Sequence, residues 1–274
     1  MKRIQLHVKD SGGAGTPIVM IHGFPLSHEA FQHQFDAFRK AGLRAVAYDR
    51  RGFGSSKKGE GPYDYDTLAD DLEQVLVDLG LEQVVLLGFS MGGGEVARYV
   101  SRHGEDRLQG LVFAAAVTPY MAKSPDNPAG PLDRATAEEK LSALQADRDR
   151  YFESFVNKFY EVSGEVVVEE SEIQKAIALC KQCDQAAAIS CMKSFATTDF
   201  REDLAEVTVP ALVIHGDSDA VVPFKGSGQL THAAIRHSEL EVIPGGPHGI
   251  NVSHADHFNR RVMAFVEAAV RERV

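Results

Sequence analysis

Residues 83–95 read QVVLLGFSMGGGE, and this stretch decides the fold. Gln83–Leu87 is a short apolar run of the kind that forms a buried strand. It passes directly into Gly88-Phe89-Ser90-Met91-Gly92, which matches the pattern G-x-S-x-G. Val96, Ala97 and Val100 then recur at helical spacing. A serine between a strand and a helix, with glycine two residues before and two after, marks a turn so sharp that neighbouring chains almost touch. The Ser90 hydroxyl then stands exposed at the carboxyl end of a sheet. It also sits at a helix N-terminus, where backbone N–H groups and the helix dipole stabilise a developing anion. In a plain glycine turn the same serine would only cap a helix. The strand–turn–helix context favours a nucleophile.

Outward from this turn, strands and helices alternate. Pro17–Ile21 reads as a strand ending in His22-Gly23, and Ser27 opens a helix with Phe31, Phe35 and Phe38 at helical spacing. Leu43–Tyr48 is the next strand, and Tyr65–Leu79 the next helix, closed by Gly80. Leu108–Ala116 is another buried strand. Further on, Val209–Ile214 and Leu240–Ile243 read as strands, Phe224–Arg236 and Val252–Val270 as helices. Alternation of this kind implies a mostly parallel sheet covered on both faces. The rhythm breaks between Pro119 and Phe200, where helical stretches follow one another without strands. Residues 119–200 are therefore expected to form a helical insertion, with 1–118 and 201–274 as the core. Phe152, Phe155 and Phe159 make one apolar stripe in the insertion, and Ile173, Ile177, Cys180, Ala187, Cys191 and Phe195 another. Both read as packing faces, with some phenylalanines left to line a pocket.

A serine hydroxyl attacks only when a base takes its proton. In this kind of fold an acid and then a histidine follow the serine in chain order. Val209–Ile214 ends in His215-Gly216-Asp217-Ser218-Asp219, and the last strand ends in Pro244-Gly-Gly-Pro-His248. Both loops reach the sheet edge that carries Ser90. Asp217 and Asp219 compete for the acid role, and local sequence does not separate them. Of the eleven histidines, His7 and His103 fall outside these loops. His28, His33, His232 and His237 read as exposed, and His254 and His257 as solvated residues near the last helix. His22 and His215 read as turn residues that hydrogen-bond locally, which leaves His248 as the base.

The chain has 274 residues, 44% of them hydrophobic and 25% charged, as in ordinary soluble proteins. A net charge of −10 argues against a nucleic-acid partner, which would need a basic face. Neither a signal peptide nor a run of ~18 apolar residues is found, so the expected location is cytoplasmic, without membrane contact. Cys180-Lys-Gln-Cys183 has C-x-x-C spacing, but no second pair or matching histidines complete a zinc site. Its helical pattern makes Cys180 a core residue.

Taken together, HGFPLSH (22–28), YDRRGFGSS (48–56), GFSMGGGEVARY (88–99), AAAVTPY (114–120), TTDFREDL (197–204), HGDSDAVVP (215–223) and GGPHG (245–249) resemble the α/β-hydrolase superfamily. The likeness is greatest to its cofactor-free haloperoxidase (perhydrolase) and aryl esterase branch, and it covers nearly the whole chain. It implies the α/β-hydrolase fold: a mostly parallel eight-stranded sheet flanked by helices, with a helical cap insertion. It implies Asp219 as the acid and His248 as the base. The oxyanion hole would come from the backbone N–H groups of Phe24 and Met91. This branch usually carries tryptophan where Phe24 stands, which puts the shape of the acyl pocket in question. Pro25 resembles the perhydrolase form of the same loop.

The resemblance implies acyl transfer from a small ester through an acyl-enzyme, with no cofactor and no metal. Water or hydrogen peroxide would be the acceptor, and peroxide would yield a peracid. Lactam or amide hydrolysis on the same site, or a receptor that binds a small ligand without turnover, are the competing readings. Self-association enters only through the resemblance.

Overall fold

The computed structural model describes residues 3–58 and 61–271. At its centre lies β4 (Val84–Phe89), buried along its whole length. Valine and leucine on both faces suit a strand with no wet side, and each fully buried aliphatic side chain contributes about 1.5–3 kcal/mol. β4 runs parallel between β2 (Pro17–Ile21) and β5 (Leu108–Ala114). β3 (Arg44–Tyr48) pairs with β2, β8 (Ala211–Gly216) with β5, and β9 (Ser238–Ile243) with β8, all in parallel. β1 (Val8–Asp10) runs antiparallel along β3. The order is β1-β3-β2-β4-β5-β8-β9.

The sheet therefore has seven strands among the described residues, not the eight expected. The chain before β1 is held by a mixture of backbone and side-chain bonds instead of a strand ladder: the His7 and Gln5 carbonyls accept from the Asp49 and Lys57 amides. Gln74 accepts from the Ile4 amide and donates to the Ile4 carbonyl, and the Ser56 hydroxyl accepts from the His7 amide.

Helices cover both faces. α1 (Gln32–Lys40) packs with α11 (Ala255–Arg271) on one, and α2 (Tyr65–Asp78) with α3 (Met91–His103) on the other. Asp64 caps α2 by accepting from the Thr67 amide at 2.9 Å. Ser27 opens a 3-10 turn, His28–Phe31, ahead of α1. The last helix does not begin in one piece at Val252. A short α10 (Ile250–Ser253) precedes α11 because Asn251 is pinned to the α1 region: its amide donates to the Ala30 carbonyl, and its own carbonyl accepts from Gln34. The helix expected over 224–236 is likewise split. A 3-10 turn at Phe224–Gly226 is followed by α9 (Gly228–Ala234), with the Ser227 hydroxyl bonded to the Pro223 carbonyl at the break.

Between β5 and β8 lie α4 (Arg134–Ala146), α5 (Arg148–Phe159), α6 (Glu170–Lys181), α7 (Gln185–Thr197) and the short α8 (Arg201–Ala205). The ends of this stretch meet: Tyr120 bridges Asp199, and the Phe200 amide donates to the Pro119 carbonyl at 2.9 Å. One expectation fails here, because a small hairpin, β6 (Glu161–Val162) and β7 (Glu165–Val166), separates α5 from α6. Its two turn residues, Ser163 and Gly164, both have positive φ, 52° and 88°, the combination that closes a two-residue hairpin. Among the described residues no helix is long and apolar enough to cross a membrane.

Candidate active site

Strand order reverses between β2 and β4: the chain passes from β2 outward to β3, then returns to β4 and continues to β5 on the other side. Such a switch point opens a crevice at the carboxyl ends of the strands. The loop after β2 carries Phe24, and the turn after β4 carries Ser90. Ser90 has φ 53° and ψ −117°, a strained conformation for a residue with a Cβ. The flanking glycines make the turn possible. A Cβ on Gly88 would lie 2.5 Å from the Gly92 carbonyl oxygen, and one on Gly92 2.3 Å from the Ile21 carbonyl oxygen.

The two candidate partners reach Ser90 from the loops after β8 and β9. His248 Nε2 lies 2.9 Å from Ser90 Oγ, and His248 Nδ1 lies 2.6 Å from Asp219 Oδ2. His248 is fully buried, its ring against Phe89 and Phe159 at centroid distances of 5.3 and 4.9 Å. The Asp219 Oδ1 atom accepts from the amides of Val221 and Val222 at 2.8 and 2.7 Å. Burial pushes the Asp219 pKa up, but the charge of His248 and the hydrogen bonds from His215 and His248 outweigh it. The carboxyl is held well below the usual carboxylate range. An ionised carboxylate can only accept, so the proton of His248 belongs on Nδ1, and Nε2 turns a lone pair toward Ser90.

Asp217 stands elsewhere. It is exposed, and its Oδ1 accepts from the Gly245 amide at 2.7 Å, which ties together the loops after β8 and β9. Phe24 and Met91 line one cavity of about 750 Å³ together with Ser90. The Tyr65 hydroxyl donates to the Met91 carbonyl at 3.1 Å and so fixes that peptide from below. Sequence reading missed Tyr65, which it took only as the first residue of a helix. It also missed the second role of His215, whose Nε2 lies 3.1 Å from Asp219 Oδ2 and 2.8 Å from the Val222 carbonyl.

Residues from 119–200 complete the cavity. Phe155 and Phe195 line it and pack on Phe24 at 6.2 and 5.4 Å. Phe152 is instead core, and Phe159 covers His248.

Two other clusters hold groups suited to metal or thiol chemistry. His7, His28 and Asp49 bring potential ligand atoms within 4.8 Å of one another. Asp49 is already engaged: Oδ1 accepts from the His28 amide and lies 2.8 Å from His28 Nδ1, while Oδ2 accepts from the Ser55 amide. His28 is therefore a partly buried partner of Asp49 and not the exposed residue expected. Cys180, Cys183 and Cys191 are free and buried. Burial raises the thiol of Cys183 to about 11 and that of Cys191 to about 12, so neither is a ready thiolate.

Comparison with known proteins agrees with this architecture. A protein from Kitasatospora aureofaciens named non-heme chloroperoxidase CPO-A1 is 38% identical over 96% of each chain. The bifunctional esterase/perhydrolase DCH of Acinetobacter calcoaceticus is 33% identical over 97% of each chain. The crystal structure of a bromoperoxidase from Bacillus anthracis superposes with a TM-score of 0.94, at 44% identity and covering 96% of both chains. The family described as alpha/beta hydrolase fold matches residues 16–255, from the first parallel strand to the start of the last helix. With six of the seven strands of the sheet inside that match, this chain belongs to the α/β-hydrolase family.

Proposed function

We propose that this protein is a serine-dependent hydrolase of small carboxylic esters that also carries out perhydrolysis. One observation carries the reading: the unbroken hydrogen-bonded line Ser90 Oγ, His248, Asp219, with separations of 2.9 and 2.6 Å, at the wall of a large cavity.

In this reading His248 Nε2 takes the Ser90 proton as Oγ attacks the ester carbonyl carbon. Asp219 holds the imidazole in place and balances the imidazolium. The amides of Phe24 and Met91 receive the carbonyl oxygen as it becomes an oxyanion, and a donor of this kind is worth ~2.7–4 kcal/mol of barrier. His248 returns the proton to the departing alkoxide, which leaves an acyl group on Ser90. Water, deprotonated by His248, then attacks the acyl carbon and releases the acid. With hydrogen peroxide in place of water the product is a peracid. That peracid oxidises bromide to hypobromous acid and reverts to the carboxylic acid. The esterase/perhydrolase name of the Acinetobacter relative supports this pairing of activities. Residues 119–200 act as a cap over a core of 1–118 and 201–274, and shape the acyl pocket through Phe155 and Phe195.

The test uses two assays on one pair of proteins. The wild type should hydrolyse p-nitrophenyl acetate, and should brominate monochlorodimedone only when acetate, peroxide and bromide are all present. Ser90→Ala should lose both activities together, by a factor of ~10⁴ or more. Bromination that survives in Ser90→Ala would remove perhydrolysis from this site.

A further inference from the structure

The cavity beside Ser90 is not uniformly apolar. Phe24, Phe155 and Phe195 form its aromatic wall, yet Lys123, Lys140, Lys158 and Lys193 line it as well. Of the other charged lining groups, Arg134 and Glu138 neutralise each other across 2.7 Å, and Glu139 alone stands against the four lysines. This positive lining belongs to a chain whose net charge is −10. Lys140 comes from α4 and Lys158 from α5, so two separate helices, one with a half-buried and one with an exposed lysine, contribute to the wall of the same cavity.

Three lysines elsewhere meet carboxylates: Lys58 meets Asp184, Lys175 meets Glu172, and Lys181 meets Glu153. Among the described residues neither Lys140 nor Lys158 has an ion-pair or hydrogen-bond partner. Burial lowers the pKa of Lys140, the charge of Lys158 lowers it further, and the charge of Glu139 offsets part of this. Lys140 and Lys158 repel each other with only Glu139 to offset them, and a bound anion relieves the remainder. An excess of positive charge in a cleft with apolar walls also focuses its field on an incoming anion.

Resting on the ester-hydrolase reading of Ser90, we infer that the preferred substrate is an ester that carries a carboxylate at the far end of its chain. The ester group lies at Ser90, the apolar chain runs along Phe155 and Phe195, and the carboxylate is held by Lys140 and Lys158. A half-ester of a dicarboxylic acid has this chemistry.

Binding separates this inference from turnover. Ser90→Ala protein is titrated calorimetrically with monomethyl adipate and with dimethyl adipate, which differ only in the free carboxylate. The half-ester should bind about tenfold more tightly at low salt, an advantage that shrinks toward ~1 M salt. Lys140→Met and Lys158→Met in the same background should each remove several-fold, and the double substitution should make the two esters equal. The salt series needs no lysine variant, so it decides even where a variant fails to fold. Equal affinity for the two esters, or a preference that survives the double substitution, overturns the inference. Turnover decides the other reading by itself: a wild type that hydrolyses neither p-nitrophenyl acetate nor either adipate ester would sink the hydrolase proposal while the binding result stands.

Discussion

Arg50 and Glu95 are joined by a 2.5 Å hydrogen bond from Arg50 Nε to Glu95 Oε1, with both side chains sealed from solvent. Arg50 also donates to the His22 carbonyl at 2.6 Å, and Glu95 accepts from the Tyr48 hydroxyl at 2.8 Å. The pair therefore fastens the loop after β2 to the first turns of α3. Those two segments present the amides of Phe24 and Met91.

Removing one partner leaves the other charge buried and alone. Glu95→Ala or Arg50→Ala should each cost about 3–5 kcal/mol, read as a lower urea midpoint. The double substitution Arg50→Met with Glu95→Leu should recover most of that stability, because no charge is left stranded. Ester turnover should stay low in the double variant, since the loop and the helix have lost their common anchor. Single variants as stable as the wild type would show that the pair holds nothing.

The two aspartates of the loop after β8 should separate cleanly. Asp219→Asn offers His248 Nδ1 an amide that can present its N–H group and favour the wrong tautomer, so kcat should fall by ~10⁴. Asp217→Asn weakens a link to Gly245 on the surface, and should cost about 1 kcal/mol of stability and little turnover. Steady-state rates on p-nitrophenyl acetate decide it. A larger loss in Asp217→Asn would exchange the two roles.

The contrast between these aspartates shows where sequence reading reaches its limit. The run Val84–Leu87 followed by Gly88 and Ser90 was legible because a buried strand and a tight turn demand those residue types. The order of acid and histidine was legible too, since both stand at strand ends. Residue patterns could not say which carboxylate turns inward. That depends on the Val221 and Val222 amides, which meet Asp219 only after the loop has folded. The pairing of His28 with Asp49 is hidden for the same reason, as it joins residues from two loops. The seven-stranded sheet was not legible either, since the segment before β1 is held by Gln74, Ser56 and the backbone of Asp49 and Lys57, far along the chain.

Backbone strain at Ser90 predicts a stability gain from a variant expected to lose activity. A residue with a Cβ at φ 53° and ψ −117° costs about 1–3 kcal/mol. Glycine relieves that strain but loses about 0.5–1 kcal/mol more backbone entropy on folding. Ser90→Gly should therefore unfold at higher urea than the wild type, by about 1 kcal/mol. Ser90→Ala keeps the Cβ and should not show the gain. Equal stability of the glycine and alanine variants would mean that the turn stores no strain.

His22 sets an acid limit on stability. Its Nδ1 hydrogen points at the Gly23 carbonyl at 2.9 Å, and its Nε2 accepts from the Arg50 amide at 3.0 Å, so a second proton has no place to go. Burial, and then the charge of Arg50, push its pKa from 6.5 down to about 3. In the unfolded chain the ring takes a proton as pH falls through 6.5, while in the native state it stays neutral until about 3. The unfolded state thus binds more protons across that window, and stability falls as pH falls. The contribution is fully present above 6.5 and is lost progressively toward 3. By about pH 5 the loss should reach ~2 kcal/mol. Urea unfolding at a series of pH values checks it. His22→Gln should be less stable at neutral pH, yet lose less between pH ~6.5 and ~5, because glutamine has no proton to gain. A variant that follows the wild-type slope would assign the acid sensitivity to other groups.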